Sequence, residues 1–351
     1  MKEDSNRGRP PRARWYDDLV QRGPSPRVLF EAPAAPQQHP DTALPEKRPA
    51  ARSGLQRSVR PPISPRAPKA RALEVGLVID ERYCIERLIA EGGIGLVYEC
   101  RHLSTGERLA MKVIRPAHCS TPDLKERLRI EARAASSIRN DHVVNVSDIG
   151  TLPNGSPYLV MELLDGTTLS ELLRAHGRLP AQRVVSLALQ IADGVGAAHD
   201  ADVVHRDLKP DNIIIQRRGG EDFVKVLDFG LAKLSGPGAV QLTGPGRVLG
   251  TPHYMSPEQA TGMPIDARVD VYALGVIMYE LVSGRVPFVG GNAMAILAQH
   301  ADKVPPKLST VVPDLLVAPA LEAIIGKCLL KRAEHRFATM RALQAALESL
   351  R

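Results

Sequence analysis

The stretch from Val203 to Ile215, VVHRDLKPDNIII, sets His205, Arg206, Asp207, Leu208, Lys209, Pro210, Asp211 and Asn212 in one polar loop between β-branched runs. Singly, each polar residue reads as a turn former or a solvated charge. An explicit run of this kind is rare by chance, and its meaning depends on companions at fixed spacing. Two follow downstream. VLDFGLAK carries Asp228-Phe229-Gly230, and GTPHYMSPEQ carries Ser256-Pro257-Glu258.

Together these motifs resemble the catalytic loop, the Asp-Phe-Gly motif and the Ala-Pro-Glu motif of protein kinases, with Ser256 where alanine is usual. The resemblance runs from about Tyr83 to near the C-terminus. The stretches GTPHYMSPEQATG and VDVYALGVIMYELVSGRVPF are similar to bacterial eukaryotic-like Ser/Thr kinases. That family implies transfer of the γ-phosphate of ATP to Ser or Thr hydroxyls of proteins, with ATP and Mg²⁺ as cofactors, and self-phosphorylation of the activation segment. Two other readings stand beside it. One is a pseudokinase that senses nucleotide as a scaffold; the other places function in a basic tail that binds an anionic partner.

The charge is uneven. The chain has 351 residues with 46 Lys+Arg and 39 Asp+Glu. Residues 1–75 hold 15 basic and 8 acidic residues, so the whole excess of +7 lies there and residues 76–351 are neutral. This argues against nucleic acid as a partner of the folded part. The same segment holds 13 of the 29 prolines, and reads as a disordered tail. Within it, RWYDDLVQRGPSPRVLF (Arg14–Phe30) is either a docking segment or a few apolar residues in a floppy arm. No apolar run reaches the roughly 18 residues of a membrane span, and the N-terminus lacks a signal-peptide core. The four cysteines are scattered and read as reduced thiols in a cytoplasmic protein.

From Gly76 onward, β-branched runs broken by turn residues predict antiparallel strands, then a helix over Asp123–Ile138 and strands near Val143–Ile149 and Tyr158–Glu162. Helical patterns follow at Leu169–Ala175, Ala181–Asp200, Val269–Ser283, Ala293–His300, Leu321–Leu330 and Met340–Leu350. The class is α+β. The expected organisation is a tail over 1–75 and a two-lobed kinase domain over 76–351. Its small β-rich N-lobe of one main helix covers about 83–161, its hinge 162–164, and its α-helical C-lobe 165–351.

The resemblance assigns roles to matching positions. Asp207 accepts or orients the substrate hydroxyl proton, Lys209 sets a charge near the transferring phosphate, and Asn212 and Asp228 offer oxygen ligands to Mg²⁺. Lys112, in LAMKVI, matches the lysine that grips the α- and β-phosphates, and Glu131 is its expected partner, with Glu126 a weaker rival. The stretch IAEGGIGLVY fits the phosphate loop with Ala90, Gly92, Gly95 and Val97 at the motif positions, and Gly93 beside them. Alanine replaces the first glycine, which leaves the lid intact and puts nucleotide affinity in question. Ile89, Val97 and Ala110 form the expected roof over adenine, Met161 the gatekeeper, Glu162 to Leu164 the hinge, and Ile214 the floor. Thr243 is the expected phosphosite, gripped by Arg206, with Ser235 the fallback and Thr251 lining the substrate site. His205, Glu258, Asp270 and Arg336 are expected to be structural, Glu258 and Arg336 as a buried ion pair. The expected partners are Ser/Thr-bearing proteins and a second copy of the chain for phosphorylation in trans.

Overall fold

The computed structural model describes residues 72–92, 95–115, 126, 130, 133–229, 252–314 and 317–351. The tail up to Arg71, with its docking segment, and Gly93, Glu131, Gly230, Ser235, Thr243 and Thr251 lie outside these residues.

Alternation of apolar and polar residues builds a six-stranded antiparallel sheet in the order β1-β2-β3-β4-β6-β5. Its strands are β1 (Val78–Ile79), β2 (Tyr83–Glu91), β3 (Gly95–His102), β4 (Arg108–Ile114), β5 (Val146–Thr151) and β6 (Pro157–Glu162). One face packs Ile85, Tyr98, Cys100, Met111, Tyr158 and Val160 into a core. Lys112, between Met111 and Val113, therefore points from the other face. Residues 133–137 are helical, the described end of the helix expected over Asp123–Ile138. The strand expected at Val143–Ile149 starts later, at Val146. Val143 instead makes an isolated parallel bridge to Val226, and Val144 donates to the Val226 carbonyl at 3.0 Å.

A second, three-stranded sheet was not anticipated. It joins β7 (Thr167–Thr168), β8 (Ile213–Arg218) and β9 (Glu221–Val226). The helices are α1 (Leu169–His176), α2 (Ala181–Asp200), α3 (Pro257–Thr261), α4 (Arg268–Ser283), α5 (Ala293–Asp302), α6 (Leu308–Val311), α7 (Pro319–Cys328) and α8 (Met340–Glu348). Thr168 starts α1 with a reciprocal capping box to Glu171. Helix α4 is apolar nearly all round, from Val269 to Ser283, and is buried accordingly at the centre of the helical lobe. Its one deeply buried acid is Asp270, 1% exposed. Among the described residues no helix is long and apolar enough to cross a membrane.

Candidate active site

The β8–β9 hairpin sets the geometry. Ile213 pairs with Val226, so the next residues outward, Asn212 and Leu227, face each other, and the Leu227 amide donates to the Asn212 carbonyl at 2.8 Å. Asp228 follows at once. Two residues far apart in sequence are thus delivered to one end of a two-stranded ribbon.

Asn212 directs its amide nitrogen at Asp207, to the backbone carbonyl at 2.9 Å and to Oδ2 at 3.3 Å. Lys209 Nζ donates to the same Oδ2 at 2.6 Å. Among the described residues, Asp207 Oδ1 and the Asn212 side-chain oxygen Oδ1 are left as acceptors. Across the cleft, Lys112 Nζ stands 2.6 Å from Asp228 Oδ1. Lys112 is only 8% exposed, so it needs an anionic partner, and Asp228 supplies it here. Burial would raise the Asp228 pKa, but Lys112, with His205 and Lys209 beyond, holds the carboxyl below its usual range. Asp228 and Arg206 both have left-handed backbone, with φ of 61° and 68°. That conformation is costly for side chains beyond glycine and persists only where neighbours fix it.

The fixing is visible beneath the loop. Asp270 Oδ2 accepts from the His205 amide and from His199 Nε2, and its Oδ1 accepts from the Arg206 amide, each at 2.8 Å. Burial pushes the Asp270 carboxyl up, and His199, His205 and the Arg206 amide outweigh it, leaving its pKa depressed. His205 is fully buried, with Nε2 on the Leu227 carbonyl at 2.8 Å and its ring 4.7 Å from that of Phe229. The Asp207 amide donates to its Nδ1 at 3.3 Å. Its ring nitrogens are therefore both engaged by scaffold, away from any acid–base work.

Glu258 and Arg336 form a bidentate pair, Nη1 to Oε1 and Nη2 to Oε2, both 2.7 Å. The guanidinium also donates to the carbonyls of Leu330, Arg268 and Lys331. All five of its donors are matched, the condition under which a buried arginine is tolerated. Ser256, in place of the usual alanine, caps α3 in a reciprocal box with Gln259. Gln259 Nε2 then donates to the Arg206 carbonyl at 2.8 Å, tying α3 to the catalytic loop.

The roof is β2, β3 and β4. Ala90 lies in regular ladder opposite Val97, with no positive φ, so the alanine fits its backbone without strain. Ile89 sits at a register shift between Leu88 and Ala90 and is 40% exposed, outside the core. A Cβ on Gly95 would meet the Val113 carbonyl oxygen at 2.3 Å, so this glycine is demanded by strand packing as well as by any ligand. A Cβ on Gly92 would make only an ordinary contact, 3.8 Å from the Gly95 carbonyl oxygen, to which the Gly92 amide donates at 2.9 Å. Ala110 pairs with Met161 in the ladder, and Ile214 lies half-buried on β8. Behind Met161 a cavity of about 20 Å³, bounded by Lys112, Leu159 and Phe229, has room for roughly one water.

One feature escaped the sequence reading. Lys225, 6% exposed, donates to Glu162 Oε1 at 2.7 Å and to the Val143 carbonyl at 3.3 Å. The same Glu162 oxygen accepts the Asn145 amide at 2.8 Å. Only the alternation of IIIQRRGGEDFVKV, with a lysine at an inward position, could have hinted at it.

A model of the protein kinase domain matches residues 83–347. The serine/threonine-protein kinase Pkn1 of Myxococcus xanthus is 44% identical over 263 residues, 75% of this chain and 37% of that protein. Serine/threonine-protein kinase pkn3 of the same organism is 39% identical over 282 residues, 79% of this chain and 51% of that protein. The chain thus spans between about a third and a half of these relatives' length. The crystal structure of the Mycobacterium tuberculosis PknI kinase domain superposes with a TM-score of 0.64 at 24% identity, over 80% of this chain and 100% of that one, a likeness of fold. With the model covering most of the chain and relatives at this identity, the chain belongs to the protein kinase family.

Proposed function

We propose that the chain transfers the γ-phosphate of ATP to serine or threonine hydroxyls of proteins, and that it acts in the cytoplasm. The observation that carries this is the convergence of Asp207, Lys209, Asn212, Asp228 and Lys112 on one cleft. Phosphoryl transfer asks for position and charge neutralisation more than covalent help. Asp207 Oδ1 is placed to take the proton of the attacking hydroxyl as its oxygen bonds to phosphorus and the bond to the ADP oxygen breaks. Lys209 meanwhile fixes the other carboxylate oxygen. The roof of Ile89, Val97 and Ala110 and the hinge from Glu162 to Leu164 hold the base, and the Gly92–Gly95 turn covers the phosphates.

The donor set fits Mg²⁺: the Asn212 side-chain oxygen Oδ1 and the Asp228 carboxylate are hard oxygens on one ribbon end, the kind this ion accepts with phosphate and water completing its shell. Bound there, it supplies neutralising charge to the phosphate oxygens. Lys112 is shared between Asp228 and any arriving phosphate, and Glu131 is its partner in the reactive arrangement. Thr243 phosphorylation, read by Arg206, orders the activation segment, and a second copy of the chain supplies it.

The test is incubation of purified protein with Mg²⁺ and labelled ATP, beside Lys112→Met and Asp207→Ala, with sites mapped by mass spectrometry. Label on Thr243 or tail serines, lost in both variants, is the expected result. Folded wild-type protein that binds ATP and takes no label overturns the reading.

A further inference from the structure

On the outer side of the small lobe, the helical end at 133–137 and strand β5 enclose a second, open cavity of about 510 Å³. Its wall includes Arg133, Ser136, Arg139, Asn145, Ser147 and Asp148. Arg133 and Arg139 are exposed, and neither makes an ion pair among the described residues. The one acid in the wall, Asp148, is already engaged, by Arg82 Nη1 at 2.8 Å and by the Tyr83 hydroxyl at 2.7 Å. Ser136 and Ser147 donate their hydroxyls to the Arg133 and Val160 carbonyls, so they offer lone pairs and not protons. The donors that remain are two guanidinium forks and the side-chain amide of the exposed Asn145.

We infer that this cavity binds a phosphorylated serine or threonine side chain of a peptide. Guanidinium forks match phosphate oxygens in pairs, and a phosphate dianion is the ligand that answers two unopposed arginines. The cavity is several times larger than one phosphate, which leaves room for the flanking peptide. No aromatic side chain lines it to stack a nucleotide base. Its only branched apolar residues are Val146 and Ile149, too few to seat a lipid surface. Val146 also lines the inner cavity beside Lys112 and Asp228, so the two spaces share this wall residue. The choice of serine and threonine as phosphate carriers rests on the proposed function; the phosphate recognition itself rests on the arginines.

The experiment is fluorescence anisotropy on the full chain without ATP, using a labelled alanine–glycine peptide with one central phosphoserine, and its unphosphorylated twin. The phosphopeptide is expected to bind, the twin not, and inorganic phosphate to compete. Arg133→Ala and Arg139→Ala should each weaken binding about tenfold or more, the scale of one lost charged hydrogen bond. Both residues are exposed, so the melting temperature and ATP affinity serve as fold controls. Equal binding of the two peptides, unchanged binding by the double variant, or binding only to phosphatidylserine vesicles overturns the inference. Phosphotransfer by the same preparation is scored separately, so an inactive enzyme that still holds phosphopeptide would overturn the function and keep the site.

Discussion

Two pairs of carboxylates serve the same loop from opposite sides, and they differ in what their oxygens do. Below the loop, Asp270 and Glu258 are saturated: every oxygen accepts from a histidine, an arginine or a backbone amide. In the cleft, Asp207 and Asp228 each have one oxygen held by a lysine and one that meets no donor among the described residues. Saturation makes a carboxylate a scaffold. An open oxygen beside a fixed one makes it a site, because its direction is set while its second valence waits for substrate or ion.

The contrast can be broken by substitution. Asp207→Ala should lower kcat by about 10³-fold, the scale of a lost positioned base, with a melting temperature near that of the wild type. A collapse in stability instead would erase the distinction. Arg336→Ala strands Glu258 in the core and should destabilise the protein by about 3–5 kcal/mol, read by denaturant titration. Glu258→Leu with Arg336→Met should recover much of that loss, since no charge is then left buried. Gly95→Ala should cost about 1–3 kcal/mol through the clash with the Val113 carbonyl, whether or not nucleotide is present.

A third buried group sharpens the comparison from the side of pH. His300 is fully buried between Tyr272 and Phe288, and burial, with Lys331 nearby, pushes its pKa down to about 3. Its folded pKa lies below its unfolded value near 6.5, so the unfolded chain takes the proton first as pH falls. Stability should therefore drop by about 2 kcal/mol between pH 7 and pH 5 from this residue, and His300→Leu should flatten that slope. The smallest effect belongs to Ala90→Gly. Ladder geometry already suits alanine there, so the change should shift the KM for ATP by less than about threefold and cost at most about 1 kcal/mol of stability.

The catalytic loop was legible because its residues are local: eight consecutive positions carry their own signature. The helices were legible by period, and Arg268–Ser283 and Ala181–Asp200 fall within a residue of expectation. What sequence missed is long-range or short. The β8–β9 hairpin turns on Gly219-Gly220, both with positive φ, a turn signal present in the sequence and passed over. Helix α3 is five residues long, and its Ser-Pro-Glu-Gln start is a capping box that was read only as a family motif. Lys225 with Glu162 could not be read, since nothing local tells which distant acid a buried lysine will meet.

The bridge between Val143 and Val226 has a mechanical meaning. Chain that leads into the small lobe is bonded there to the end of β9, two residues before Asp228, through His142, Val143 and Val144, and the Lys225–Glu162 contact adds a second rivet close by. Any rocking of one lobe over the other must turn about this seam as about an axle. Asp228, two residues past Val226, lies close to that axle and sweeps a short arc. The two sheets can therefore tilt about the seam while the Asp228 carboxylate scarcely shifts.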